Sequence, residues 1–294
     1  MNHEKDIADY AIEEGQSGGA EYVEARVVKS FDESFTSRNG RFLGIKKKKK
    51  MGIGIRVLAN GGMAFGSTEQ LEKKRIGKLV EQLIKMAAAT RRKDPIKFSE
   101  EKIEQTSWKV PVKIPFKDIS REKKQDYIKN LDTRLKKEVG KNLKNRIAYM
   151  LLYTDEKYIT TSEGAQITSE NSLITLLVMN TAKGKSGTEQ RYISKGGTAG
   201  WEWLKEQKIQ DFVVEDCKNL VKTALNARSK KFDKPIDVVI SGEVSGIMAH
   251  ENVGHPSEGD RILGREGAQA GESFYADLLK GNQLGEVQLG NENV

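Results

Sequence analysis

The chain has 294 residues, of which 37% are hydrophobic and 31% charged, with 5 prolines and 28 glycines; this excludes a disordered or collagen-like chain and suits two domains of ~150 residues. Lys and Arg (50) exceed Asp and Glu (42), giving a net charge of +8, and a single cysteine excludes an internal disulfide framework. No apolar run approaches the ~20 residues that cross a bilayer, and the charged first ten residues hold no secretory h-region, so a soluble cytoplasmic protein without a membrane partner is expected.

Residues 4–14 place Ile7, Ala8, Ala11 and Ile12 at helical spacing. Residues 20–67 read as strands and turns, with alternation over 21–28 and a turn at Ala59-Asn60-Gly61-Gly62. Ser67 and Gln70 fit a capping box for a helix that buries Leu71, Ile76, Leu79, Val80, Leu83 and Ile84. Pro95, Pro111 and Pro115 mark an irregular connection over 91–119, and residues 123–139 form a charged helix. Strands follow at 146–153, 157–161, 166–179 and 190–194, and glycines at 196–200 break the run. Residues 209–225 return to helical period, with Cys217 in step with Val213, Val214, Leu220, Val221 and Ala224 as a buried core thiol. This order suggests an α+β domain over residues 1–230.

A second domain is expected over 231–294. From Asp237 onward ten acids face three basic residues, so this end carries seven net negative charges and the rest of the chain fifteen positive ones. Residues 237–240 read as a short buried strand, Ser241-Gly242-Glu243 as a turn and Val244 onward as a helix. The basic part includes five consecutive lysines, residues 46–50. They support a competing function, a non-catalytic binding module for an acidic partner or nucleic acid. No nucleic-acid fold signature accompanies them, and solvated lysines guarding a hairpin edge are the favoured reading. Trp201 and Trp203 are expected in core or interface packing.

Two of the three histidines, His250 and His255, lie within six residues, and Glu251 follows the first. Imidazole is a zinc ligand, and a carboxylate beside the metal can take a proton from water. The familiar helical pattern is H-E-x-x-H; here the second histidine comes one residue later. On a regular α-helix positions i and i+5 point ~140° apart, so joint ligation requires a π-bulge, or a helix that loosens at Gly254 before Pro256 stops it. Glu258, Asp260 and Arg261 are candidates for orienting a histidine or pairing with one another.

With this run (His250 to Asp260), the Glu-Tyr-Val-Glu-Ala-Arg stretch from Glu21 and the Gly-Ile-Gly-Ile-Arg-Val stretch from Gly52, the chain resembles the TldD/PmbA family over its whole length. These are zinc metallopeptidases also called modulators of DNA gyrase. The histidine motif marks the TldD type; the PmbA (TldE) type lacks it. The resemblance implies an N-terminal α+β domain before a β-rich metallopeptidase domain. It implies His250 and His255 as zinc ligands, Glu251 as general base, and homo- or heterodimers that admit unfolded peptides to an enclosed site. Family substrates include precursors of gyrase-targeting peptide antibiotics and an antitoxin, so DNA contact is not expected. The family's third ligand is a cysteine near a C-terminus well beyond this length. The chain therefore reads as truncated, with the Gly- and Asn-rich residues 281–294 an interrupted domain, and as inactive alone.

Overall fold

Strands of ordinary proteins run five or six residues, ~20 Å. Four strands here run 17 to 19 residues, ~60 Å at ~3.3 Å per residue. The computed structural model describes residues 2–279 except 92, 94, 99–102, 104, 186, 229 and 266–270. It divides into two units, Met1–Arg228 and Ser229–Val294. In the first, helix α1 (Asn2–Ser17) leads into β1 (Tyr22–Arg38), β2 (Arg41–Ala59) and β3 (Gly62–Thr68). Then come α2 (Lys73–Ala89), β4 (Gln105–Lys109), α3 (Arg121–Arg134), β5 (Leu143–Thr161), β6 (Gln166–Lys183), β7 (Thr188–Thr198), α4 (Trp203–Glu206) and α5 (Ile209–Asn226). The sheet order is β3-β2-β1-β5-β6, with β4 and β7 both paired to β6. Only β4 is parallel to its neighbour. This is an α+β fold.

Strand alternation puts Val23, Ala25, Val27, Glu33 and Phe35 of β1 on one face, together with Met150, Leu152 and Tyr158 of β5. Helices cover that face at its two ends. One core joins α1 and α2 to Val23, Val27, Ile55 and Tyr158. The other joins α3 and α5 to Phe35, Met150, Ile174 and Val178. Val27 and Phe35 are eight residues apart, ~26 Å along one strand, so two separate cores share one sheet face.

Glu33 lies at the edge of the second core with a 2% exposed side chain. Lys124 of α3, 8% exposed, reaches it at 2.6 Å, and Lys47 of β2 at 2.9 Å. Burial alone would push the Glu33 carboxyl up; the hydrogen bonds from Lys124 and Lys47 outweigh it and hold the carboxyl below its ordinary range. A second buried carboxylate, Glu202, accepts the N–H groups of Lys113 (3.2 Å), Ile114 (2.9 Å) and Gly200 (2.9 Å). Gly200 is needed there, because a Cβ would lie 2.4 Å from the Ile114 carbonyl oxygen. The clamp fixes the segment leading through Phe116 into α3. Trp201 is buried in the second core, edge-on to Tyr127.

Several expectations are corrected. Ser67 does not cap a helix: it pairs with Gly54 as β3 continues to Thr68, and α2 begins at Lys73 after Glu72, whose side chain makes no capping bond. The ladder with β2 competes for the same backbone and wins. Residues 146–153 and 157–161 are one strand, because Thr154, Asp155 and Glu156 pair with both β1 and β6. The buried Asp155 carboxylate accepts from Asn171 (3.0 Å) and sits 3.3 Å from the Lys157 ammonium. Gly196 and Gly197 do not break β7; a Cβ on Gly197 would meet the Trp203 ring nitrogen at 2.5 Å, so glycine admits the indole. The five lysines lie within β2, where β3 no longer covers its outer edge.

In the second unit the described residues form α6 (Gly242–Ala249), a π-turn (His250–Gly254), a 3-10 turn (His255–Ser257), α7 (Gly259–Ile262) and α8 (Tyr275–Leu279). They contain no strand. Residues 237–240, expected as a buried strand, are unpaired, and Val239 is fully exposed; no neighbouring strand among the described residues offers a ladder. Residues 281–294 lie outside the described part. Among the described residues no helix is long and apolar enough to cross a membrane.

Removing the Glu33 carboxylate strands a buried ammonium. Glu33→Ala is expected to cost ~3–5 kcal/mol in denaturant unfolding. A folded-state value below the ordinary one means that the Glu33 contribution is full above the carboxylate range and is lost as pH falls through the folded-state value. The gap between wild type and variant should therefore shrink in acid; a gap constant with pH contradicts this assignment.

Candidate metal centre

The Ser241 hydroxyl accepts the Val244 N–H at 3.4 Å and caps α6. A serine just before the first helical residues is a recognised start signal, which the turn reading of 241–243 passed over. The α-helix ends at Ala249. The His255 N–H donates to the His250 carbonyl, an i→i+5 bond that takes up one extra residue. Pro256 has no N–H to extend the ladder, and the backbone tightens into the 3-10 turn. A Cβ on Gly254 would stand 3.9 Å from His250 Nδ1, an ordinary contact, so the π-turn does not depend on that glycine for space.

The π-turn brings residues five apart onto one side. The His250 and His255 rings lie 4.5 Å apart, nearly edge to face at 77°. Glu251 Oε2 is 3.8 Å from His255 Nε2. One donor atom from each of His250, Glu251 and His255 falls within 4.8 Å of the others. Two imidazoles and a carboxylate are a zinc donor set. Their spread is wider than the ~3.4 Å edge of a tetrahedron with ~2.1 Å bonds. His250 is exposed, so rotation about its side-chain bonds can bring its ring nitrogen closer to that of His255; the two imidazoles fit as metal donors, with the Glu251 carboxylate beside them.

His255 is anchored from its other nitrogen. Nδ1 lies 2.8 Å from Glu258 Oε1, and the second Glu258 oxygen accepts from Arg261 Nε. The hydrogen bond to His255 first, then that to Arg261, holds the Glu258 carboxyl below its ordinary range. An ionised carboxylate only accepts, so Nδ1 carries the proton. The Arg261 Nη2 contact at 3.3 Å to that nitrogen is then proximity, not a hydrogen bond. In the neutral ring the lone pair then falls on Nε2, on the side of Glu251, the tautomer that a ligating histidine needs. Asp260 is used differently: it accepts the Arg261 backbone N–H at 2.9 Å. Cys217, in the first unit, is fully buried beside Asn180 Nδ2, and burial pushes its thiol up to about 12. It stays protonated at neutral pH and is no ready ligand.

Two models of one family match the chain: PmbA/TldA metallopeptidase domain 1 over residues 23–87 and the PmbA/TldA metallopeptidase central domain over 114–231. Both matches end before His250. A metalloprotease of Methanothermobacter thermautotrophicus is 26% identical over 243 residues, covering 83% of this chain and 52% of the relative. A metalloprotease of Methanocaldococcus jannaschii is 24% identical over 272 residues, covering 90% and 56%; at that coverage the match takes in positions 250–260. The chain thus spans about half the length of these relatives. Among solved structures, a protein of Thermotoga maritima described as a candidate modulator of a DNA gyrase superposes with a TM-score of 0.61 at 15% identity, covering 77% of this chain and 50% of that one. TldE from Thermococcus kodakarensis gives 0.55 at 14% identity, covering 74% and 47%.

Glu258 is expected to set the His255 tautomer. In Glu258→Ala the nitrogen-15 signals of His255 should move from the Nδ1–H form toward the Nε2–H form. Unchanged signals mean that another group holds the ring.

Proposed function

This chain belongs to the PmbA/TldA metallopeptidase family, and on that premise we propose that it is a TldD-like peptidase chain in which His250 and His255 hold zinc and Glu251 is the general base. The observation that carries the proposal is the π-turn at 250–254, which turns a spacing unsuited to joint ligation into adjacent rings. Zinc at such a site supplies Lewis acidity, lowering the pKa of bound water and polarising a peptide carbonyl. His250 and His255 would hold the metal through ring nitrogens, and Glu258, backed by Arg261, keeps the His255 proton on Nδ1. Glu251 keeps 61% of its side chain exposed and forms no closer ion pair among the described residues than its 3.8 Å approach to His255. It is free to take a proton from attacking water and deliver it to the leaving amine.

The family resemblance extends the proposal to unfolded peptide substrates, a homo- or heterodimer and a cysteine as third ligand. Catalytic zinc usually has three protein ligands. Among the described residues this chain brings two histidines to the site, and Cys217 is buried in the first unit, so little or no peptidase activity is expected of it alone.

Zinc content of the purified chain tests the site. About one zinc per chain is expected, lost in His250→Ala and in His255→Ala but kept in Glu251→Gln. Loss of zinc in Glu251→Gln makes Glu251 a ligand and not the base. No zinc in the wild type leaves this pair of histidines without the proposed role in this chain.

A further inference from the structure

Between the two cores, the middle of the helix-bearing sheet face is open as a cavity of about 550 Å³. Its floor holds Phe31 of β1, with Lys49 opposite on β2 and Thr154 opposite on β5. Val27 and Phe35, on the same face of the same strand, are fully buried, whereas Phe31 is 40% exposed. One wall is the segment that Glu202 clamps, with Phe116, Lys117 and Arg121. Basic lining residues outnumber acidic ones seven to four. The acids are already engaged: Glu33 with Lys47 and Lys124, Glu170 with Lys109, Asp155 with Lys157 and Glu156 with Lys29. Lys49, Lys117 and Arg121 have no salt bridge among the described residues.

An exposed aromatic ring beside three unmatched cations, in a cavity of ligand size, calls for an anion with apolar parts. We infer that this cleft binds a short acidic stretch of polypeptide, an apolar side chain resting on Phe31 and carboxylates reaching Lys49, Lys117 and Arg121. Single-stranded nucleic acid fits less well, since it needs a series of stacking rings and Phe116 is buried, leaving Phe31 as the exposed ring of the lining. The choice of a peptide rests on the peptidase reading; the cleft itself needs no metal and lies wholly in the first unit.

The neighbouring lysines provide the test, because alternation turns Lys49 into the cleft and Lys48 and Lys50 to the opposite face. A fluorescein-labelled peptide of alternating glutamate and leucine is titrated with the whole chain and followed by anisotropy at low and high salt. Binding is expected, weaker at high salt. Lys49→Glu with Arg121→Glu should weaken it by about tenfold or more, and Lys48→Glu with Lys50→Glu, an equal change of charge, by less than about threefold. The milder pair Lys49→Ala with Arg121→Ala should fall between, so misfolding of the charge-reversed chain cannot decide the outcome. His250→Ala should bind as wild type, which separates failure of the metal site from failure of the cleft. The inference is overturned by no binding, by equal weakening in both charge-reversed pairs, or by tighter binding of an oligothymidylate of equal charge.

Discussion

The two-residue period of the strands, kept in register over the 15 pairs that join β1 to β5, is the constraint on which the first unit depends. A slip of one residue between β1 and β5 would send Val27 and Phe35 to the other face together and dissolve both cores. The face is too long for one pair of helices. α1 and α2 take one end, α3 and α5 the other, and the middle must be solved differently. There the side chains become charged or polar: Lys29, Glu33, Thr154, Glu156. The buried Glu33 is tolerable only because Lys124 and Lys47 neutralise it. The open cleft is thus a consequence of strand length and cover, not an accident of one loop.

At the metal centre a single extra residue has the same decisive weight. An α-helix carried through His255 would separate the two rings around its axis. The i→i+5 bond from His255 to His250 restores them to one side, and Pro256 prevents the α-helical ladder from resuming. Glu258 and Arg261 follow three and six residues after His255; Glu258 ties down its far nitrogen and Arg261 backs Glu258. Ring pair, carboxylate and anchor all come from twelve consecutive residues. That local origin explains why the arrangement forms although α6 buries no side chain.

Most elements were legible because their periodicity is strong: α1, α2, α3, α5 and the alternation of β1 and β6. The misreadings share a cause. Ser67 carries a genuine capping pattern, but the strand pairing of β3 outcompetes it. Thr154 to Glu156 look like a break, but β5 is central and has ladders on both sides. Residues 237–240 have strand composition without a partner strand to pair with. The Asn39-Gly40 turn, with φ of 50° and 82°, joins β1 to β2. Its sequence is a strong hairpin signal, and reading it would have placed the hairpin, although the bulge between Thr36 and Ser37 shifts the rest of the register by one residue.

By itself the sequence determined the histidine motif and the distortion it requires, since residue spacing and helix geometry are local quantities. It also determined the apolar faces of the helices and the burial of Cys217, which follow from periodicity. Tertiary structure alone decided that Glu33 meets Lys124 across 91 positions, that Glu202 clamps the segment at 113–114, and that both helix pairs use the same sheet face. It alone turned Lys47 and Lys49 of a uniform run inward and Lys48 and Lys50 outward. These depend on which strand lies beside which, and pairing between distant segments leaves no periodic trace in either one.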